Sequence, residues 1–181
     1  AYGICTKDNY LYVNDAHGMK IVDINDPSNP QELETKSDIK SSSGKIYIEG
    51  IYAYLCAGET GLHIVNVSDP ALPYLVKTIE TPGIAEDVYV HGSYAFVADR
   101  DSGLQIINIE NPDEGAIVAK METLGWALGV YGKDNYLYIA EDGGYIEKID
   151  ISDPTKPSIV KKIVINGTFY DLCIYNGYIY V

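Results

Sequence analysis

Positive charge is scarce in this chain. Thirteen Lys and Arg stand against 26 Asp and Glu, a formal net charge of −13 with a pI near 4.4. No basic run occurs that could neutralise a phosphate backbone, which excludes nucleic acid as a partner. The same charge disfavours anionic membrane surfaces. No apolar run approaches the ~20 residues of a membrane span, so no direct membrane insertion is expected from this segment. No signal peptide is visible, although the chain starts at Ala1 rather than Met, which is compatible with a removed leader. Cysteine is sparse as well. Cys5, Cys56 and Cys173 form no Cys-x-x-Cys pair, which argues against a zinc or redox motif, and their odd number leaves at least one thiol unpaired within the chain. Each sits in an apolar stretch and is expected to be a small buried hydrophobe. No Gly-x-Ser-x-Gly, phosphate loop or dinucleotide fingerprint occurs.

What is abundant points to strands. Tyr and Gly each number 17. Tyr favours the half-buried pleated surface of a sheet, and Gly favours turns. The tyrosines also mark a period. Tyr10, Tyr52, Tyr94, Tyr136 and Tyr178 are 42 residues apart, and Pro27, Pro70, Pro112 and Pro154 follow at steps of 43, 42 and 42. Gly83, Gly125 and Gly167 keep the same register, with Ser41 in that place in the first copy. Internal repetition at this length signals a repeat architecture.

Within one period the apolar residues alternate at two, the strand period. In residues 84–125, strands are expected at Asp87–Val90, Tyr94–Ala98, Leu104–Ile109 and Ala116–Met121, separated by turns rich in Gly, Pro, Asp and Asn. No segment keeps a helical period. The expected fold is all-β: a β-propeller of four-stranded antiparallel blades built on ~42-residue repeats. A sandwich would not explain the strict period. The repeats run at about 1–42, 43–83, 84–125, 126–167 and 168–181, four blades plus a partial fifth within a single domain, 1–181. The last copy stops after its second strand while the first begins with a first strand, so the ends do not complement. The chain is therefore expected to be a fragment of a propeller of about six to eight blades. The joint Lys40-Ser41-Ser42-Ser43-Gly44 is expected to be a looser loop. The fourth copy departs from the others at Gly143-Gly144 and at Lys148.

The strings GMKIVDINDP (18–27), GLHIVNVSDP (61–70) and GLQIINIENP (103–112) resemble the LVIVD repeat, as do GSYAFVADRDSG upstream and TPGIAEDVYV downstream of their neighbours. The resemblance implies a β-propeller of the kind found in secreted or cell-surface proteins of bacteria and archaea. It carries no catalytic motif, so it implies no site residue.

In a propeller the loops between second and third strands and the joints between blades open on one face. Here they offer Asp99, Arg100, Asp101, Glu141 and Asp142 from the loops, and Trp126, Phe169 and Tyr170 from the joints. Together these read as an acidic rim with aromatics that could bind a protein, a carbohydrate or a cationic partner; the plainer reading is that acids cap turns and keep the surface soluble. Asp99-x-Asp101-x-Gly103 begins like a calcium loop but lacks the remaining ligands, so calcium is a weak candidate there. Glu86, Asp87 and Asp171, near the starts of first strands, could pair as general acid and base across the central channel, or simply line a wet channel. His17, His63 and His91 fall at three different phases and do not suggest one site. Asn66 and Asn166 sit in glycosylation acceptor patterns, Asn166 in the more accessible loop. The recurring Asp23, Asn66, Asn108 and Asp150 are expected to bond the turn that follows each third strand. The expected function is a non-enzymatic extracellular or cell-surface module for protein or glycan binding, or part of a surface assembly. The alternative is a polysaccharide hydrolase or lyase with its acids at the channel mouth.

Overall fold

A computed structural model describes residues 1–15, 17–33, 39–41 and 44–181. Each repeat forms its own four-stranded antiparallel sheet of strands in sequential order. The first sheet holds β1 (Gly3–Lys7), β2 (Tyr10–Asp15), β3 (Gly18–Asp23) and a short β4 (Gln31–Glu32). The second holds β5 (Ile46–Glu49), β6 (Tyr52–Cys56), β7 (Leu62–Asn66) and β8 (Tyr74–Ile79). The third holds β9 (Asp87–His91), β10 (Tyr94–Ala98), β11 (Leu104–Asn108) and β12 (Ala116–Met121), and the fourth β13 (Ala127–Lys133), β14 (Tyr136–Glu141), β15 (Tyr145–Asp150) and β16 (Ser158–Val164). A hairpin of β17 (Cys173–Tyr175) and β18 (Tyr178–Tyr180) follows. The expected strands of the third repeat thus stand within one residue of the observed ones. In the joint expected to be loose, Ser42 and Ser43 lie outside the described residues, and so does Ala16 in the first sheet's loop. Ser41 is buried, and its hydroxyl donates to the Cys56 carbonyl at 3.1 Å.

The core lies between sheets rather than within one. Phe96, Leu104 and Ile106 of the third sheet pack against Val130, Leu137 and Ile139 of the fourth. Tyr54, Leu62 and Ile64 of the second meet Val88, Ala95 and Val97 of the third. Successive residues of a strand point to opposite faces, and the middle strands are buried on both: all five residues of β7 are buried. This is why Ala53, Leu55 and Val65 serve one interface while Tyr54, Leu62 and Ile64 serve the next. The first strands run side by side through the molecule, with β1 against β5, β5 against β9, β9 against β13 and β13 against β17. Among the described residues the sheets do not close into a ring.

Local chemistry explains the repeat's punctuation. The Asp or Asn closing each third strand accepts the amide two residues on: Asn25 to Asp23 at 2.8 Å, Ser68 to Asn66 at 2.9 Å, Glu110 to Asn108 at 2.9 Å and Ser152 to Asp150 at 2.8 Å. The expectation for these four residues holds. Asn66 is buried in that role and is therefore a poor glycan acceptor, whereas Asn166 is exposed. Replacing Asn108 by Ala is expected to cost about 1 kcal/mol, read as a lower urea midpoint with an unchanged slope. A second regularity concerns the outer strands. Opposite Ile64/Val65, Ile106/Ile107 and Lys148/Ile149 the register shifts by a residue, leaving Val76, Val118 and Val160 as the extra residue in β8, β12 and β16.

Two expectations about burial need correcting. Cys56 is buried, but Cys5 is only partly so and Cys173 is exposed. Both stand in the register of Tyr47, Tyr89 and Tyr131, whose rings meet one another along the first strands, at 5.6 Å for Tyr47–Tyr89 and 6.1 Å for Tyr89–Tyr131. That register lies at the margin of the intersheet core, with Cys5, Tyr47, Tyr89 and Tyr131 packed against it while only partly buried. Phe169, expected at the binding rim, is 8% exposed and packs on Ala140, Ile146 and Leu172. Its counterparts Ala85 and Ala127, at steps of 42 residues, are fully buried, while Ala1 in the first copy is exposed, so the position belongs to the core in the third, fourth and terminal copies.

Candidate functional site

The joints and first-strand starts converge on one concavity of about 500 Å³. Its size lies within the range of small-molecule sites, about 300–1,000 Å³. The repeat itself places the walls. Tyr2, Gly44, Glu86, Leu128 and Tyr170 are successive copies of one position, 42 residues apart, and all five line the cup. Lys45 and Asp171 come from the next position in the repeat. Trp126 and Thr168 come from the joints, and Arg100 and Asp142 from the loops between second and third strands. Loops and joints do open together: Arg100 and Ala127 exchange backbone hydrogen bonds at 3.1 and 3.0 Å, as Gly58 and Ala85 do at 3.3 and 3.1 Å.

Lys45 forms the floor. Its ammonium lies 2.9 Å from Asp87 Oδ2 and pairs with Asp171 Oδ1 as well. The clasp joins three copies of one repeat position, contributed by the second and third sheets and the terminal hairpin. Burial works against the Lys45 charge, but Asp87 and Asp171 outweigh it and hold its pKa above the usual lysine value. Asp87 is 5% exposed. Burial pushes its carboxyl up to about 6, against the pull of Lys45 and of the Val130 amide, which donates to Oδ2 at 2.9 Å. At neutral pH the pair is therefore charged. With Oδ1 accepting the Val88 amide at 2.8 Å, Asp87 is committed on both oxygens. Glu86 is engaged by Arg100, whose Nε donates to Oε1 at 2.6 Å. The Arg100 guanidinium also lies 5.9 Å from the centre of the Trp126 ring, within cation–π range.

The structure divides the residues singled out from sequence. Arg100, Trp126, Asp142, Tyr170, Glu86 and Asp171 meet at the cup, with Asp87 beneath it. Asp99 does not join them. It is fully buried, accepting the Thr81 hydroxyl at 2.7 Å and the Gly83 amide at 2.9 Å, which ties the joint before its own sheet. Burial raises its pKa while those two donors oppose the shift. Asp101 is exposed, so of the two carboxylates of the calcium candidate one is buried in the joint and the other lies at the surface. No cluster of three or more His, Cys, Asp and Glu able to hold a metal occurs among the described residues. Glu141 repeats the role of Asp99: fully buried, it accepts the Gly125 amide at 2.5 Å. His63 is 8% exposed and bridges the Lys40 carbonyl and the Thr78 hydroxyl, while His17 and His91 are exposed elsewhere. Burial lowers the His63 pKa.

Lys45 was missed from sequence, as were Tyr2, Leu128 and Thr168. The signal existed. Gly3, Lys45, Asp87, Gly129 and Asp171 are 42 residues apart, and the change of residue type from copy to copy hides their equivalence.

The LVIVD-repeat model matches residues 1–37, 41–81, 82–123 and 125–164, one match per four-stranded sheet. The chain belongs to the LVIVD-repeat family. No curated protein sequence matches it. Among solved structures, the computationally designed Ika8 protein is similar at a TM-score of 0.74 with 11% identity, over 97% of this chain and 53% of that one. The designed Ika4 protein is similar at 0.65 with 8% identity, over 81% and 88%. A functionally unknown protein from Desulfotomaculum acetoxidans DSM 771 is similar at 0.75 with 12% identity, over 91% and 56%. This LVIVD-repeat chain therefore spans about half the length of the first and third of these, and at such identities the likeness concerns the fold alone. No helix among the described residues is long and apolar enough to cross a membrane.

Proposed function

We propose that this LVIVD-repeat chain is a non-enzymatic binding module, and that its sheets are blades of a β-propeller of about six to eight blades presenting the cup to a protein or a glycan. The cup carries this reading. Tyr2, Trp126 and Tyr170 stand at its mouth at 50%, 50% and 73% exposure. Large aromatics left open around a concave polar floor are costly to leave in water and well suited to a partner's apolar surface. That two of the similar structures are well over half as long again as this chain accords with a larger ring. Placement at the cell surface or outside the cell, in an assembly or alone, is part of the proposal and rests on the family resemblance.

The enzymatic alternative draws on Asp87, whose carboxyl burial pushes up to about 6, and on Asp171, which shares Lys45 with it. Asp87 is nonetheless spent on two backbone amides and Lys45, which suits a buried strut better than a proton donor.

The test is capture. Immobilised protein is offered panels of peptides and of neutral and acidic oligosaccharides, beside a variant carrying Trp126→Ala and Tyr170→Ala. Both residues are exposed, so the variant is expected to fold. Binding to at least one panel should weaken about tenfold or more in it, the loss expected when interface aromatics are truncated. Turnover of an oligosaccharide, abolished by Glu86→Gln or Asp171→Asn, would replace this reading with the enzymatic one.

A further inference from the structure

Resting on the cup as a binding site, we infer that its ligand is a primary ammonium group carried on an alkyl stem. The charge inside the cup points there first. Both cations are already engaged by acids: Lys45 by Asp87 and Asp171, Arg100 by Glu86. Asp142 remains at the wall without a cationic partner among the described residues. Its Oδ1 accepts the Trp126 amide at 2.5 Å, which fixes the carboxylate beside the indole. The rim thus carries three carboxylates against two cations, with a fourth carboxylate beneath the floor. The whole chain at −13 adds a field of the same sign. An anionic ligand would be repelled by both.

The aromatic residues supply the second argument. Trp126, Tyr170 and Tyr2 line the same cavity as Asp142. Ring faces attract cations, indole most strongly. The protein already holds one cation against this indole, Arg100 at 5.9 Å. An ammonium entering beside Asp142 would pair with the carboxylate while its methylene stem lay along Trp126, Tyr170 and Leu128. Lys45 and its two aspartates block the floor, so the cup admits the end of a side chain rather than a strand passing through.

The probe is Nα-acetyl-lysine methylamide, followed by the fluorescence of Trp126, the chain's single tryptophan. The norleucine methylamide is its uncharged counterpart, 1,5-diaminopentane tests a free amine, and cellohexaose tests a neutral glycan. A saturable change is expected with the lysine compound and with diaminopentane, and none with norleucine. Asp142→Asn should weaken binding about fivefold or more, Tyr170→Ala about threefold, and raising NaCl from about 0.05 to 0.5 M should weaken it further. Tyr170 is exposed, so its variant keeps the test valid if Asp142→Asn proves poorly folded. Tighter binding of Gly-Lys-Gly than of diaminopentane would assign the ammonium to a protein lysine, and the reverse to a small amine; either supports the inference. Equal responses to lysine and norleucine compounds, or a response to cellohexaose alone, would overturn it and leave the cup a binding site. Silence from every probe at about 10 mM, a concentration that would nearly fill a 1 mM site, would overturn both.

Discussion

Gly103→Ala is expected to destabilise the protein by about 3–4 kcal/mol, a large share of the roughly 5–15 kcal/mol that holds a domain folded. Two effects combine at this turn between β10 and β11. Gly103 has φ +71°, a left-handed conformation that costs a residue with a Cβ about 1 kcal/mol or more. A Cβ there would also stand 2.3 Å from the Met121 carbonyl oxygen, so backbone must move. Gly92→Ala is the control. Gly92 has φ +58° with nothing within 4 Å of the added carbon, so only the strain remains, about 1 kcal/mol. Urea melts of the two variants separate the effects, and equal losses would refute the crowding argument. The same approach recurs at Gly18 against the Ile39 carbonyl, Gly61 against Ile79 and Gly144 against Ile165. The doubled glycine of the fourth repeat is thereby explained: Gly144 fills the template position, and Gly143 supplies the turn's other left-handed residue, as Gly58 and Arg100 do in the second and third turns.

Glu141→Gln is expected to stabilise the protein above pH 7 by about 2 kcal/mol and to flatten its pH dependence below that. Glu141 and Glu147 are both fully buried in the fourth sheet. Glu141 Oε1 and both Glu147 oxygens lack hydrogen-bond donors among the described residues. Lys162 Nζ lies 3.1 Å from Glu147 Oε1 without hydrogen-bond geometry. Burial pushes the Glu141 carboxyl up to about 7, the Gly125 amide opposing and the Glu147 charge adding to the shift. An acid whose pKa rises on folding favours the folded state only while protonated. Its contribution is therefore complete below the unfolded value of 4.5 and is lost as pH rises through about 7. The glutamine removes that loss and can still accept from Gly125. Asp87, raised to about 6, leaves a residual slope of the same sign in the variant. Asp26, Asp150 and Asp153 act oppositely, lowered by hydrogen bonds from the turns they close, so they bear only on the acid limb. Thermal melts from pH 4.5 to 8.5 decide the matter, and an unchanged slope in the variant would sink the assignment.

Much of this fold was legible because the repeat writes each structural demand several times. Turn glycines, strand-end Asp or Asn and alternating apolar residues each recur at one phase, so chance agreement is small. The site was legible only in part, because it is made of the phases where copies differ. Arg100, Trp126 and Tyr170 could be found as departures from the template. Lys45 could not be recognised without knowing that first strands meet, since an ammonium two residues from a turn reads as a solvated charge. Phe169 was misjudged for the opposite reason: taken alone it is a loop aromatic, while Ala85 and Ala127 reveal a buried position. Asp99 and Glu141 look like rim acids in sequence. Their inward turn is matched by the joint amides of Gly83 and Gly125, which donate to them.

The extra valines of β8, β12 and β16 bear on how the molecule behaves in a crowd. Each fourth strand is the outermost of its sheet, and an outer strand offers unpaired amides and carbonyls to any neighbour of like shape. An inserted residue breaks the even spacing such a neighbour would need and sharpens the local twist. Lys77, Lys120, Lys161 and Lys162 lie in these same strands, so copies that approached edge to edge would bring like charges together. A chain with so few lysines has placed four of them where they discourage fibres.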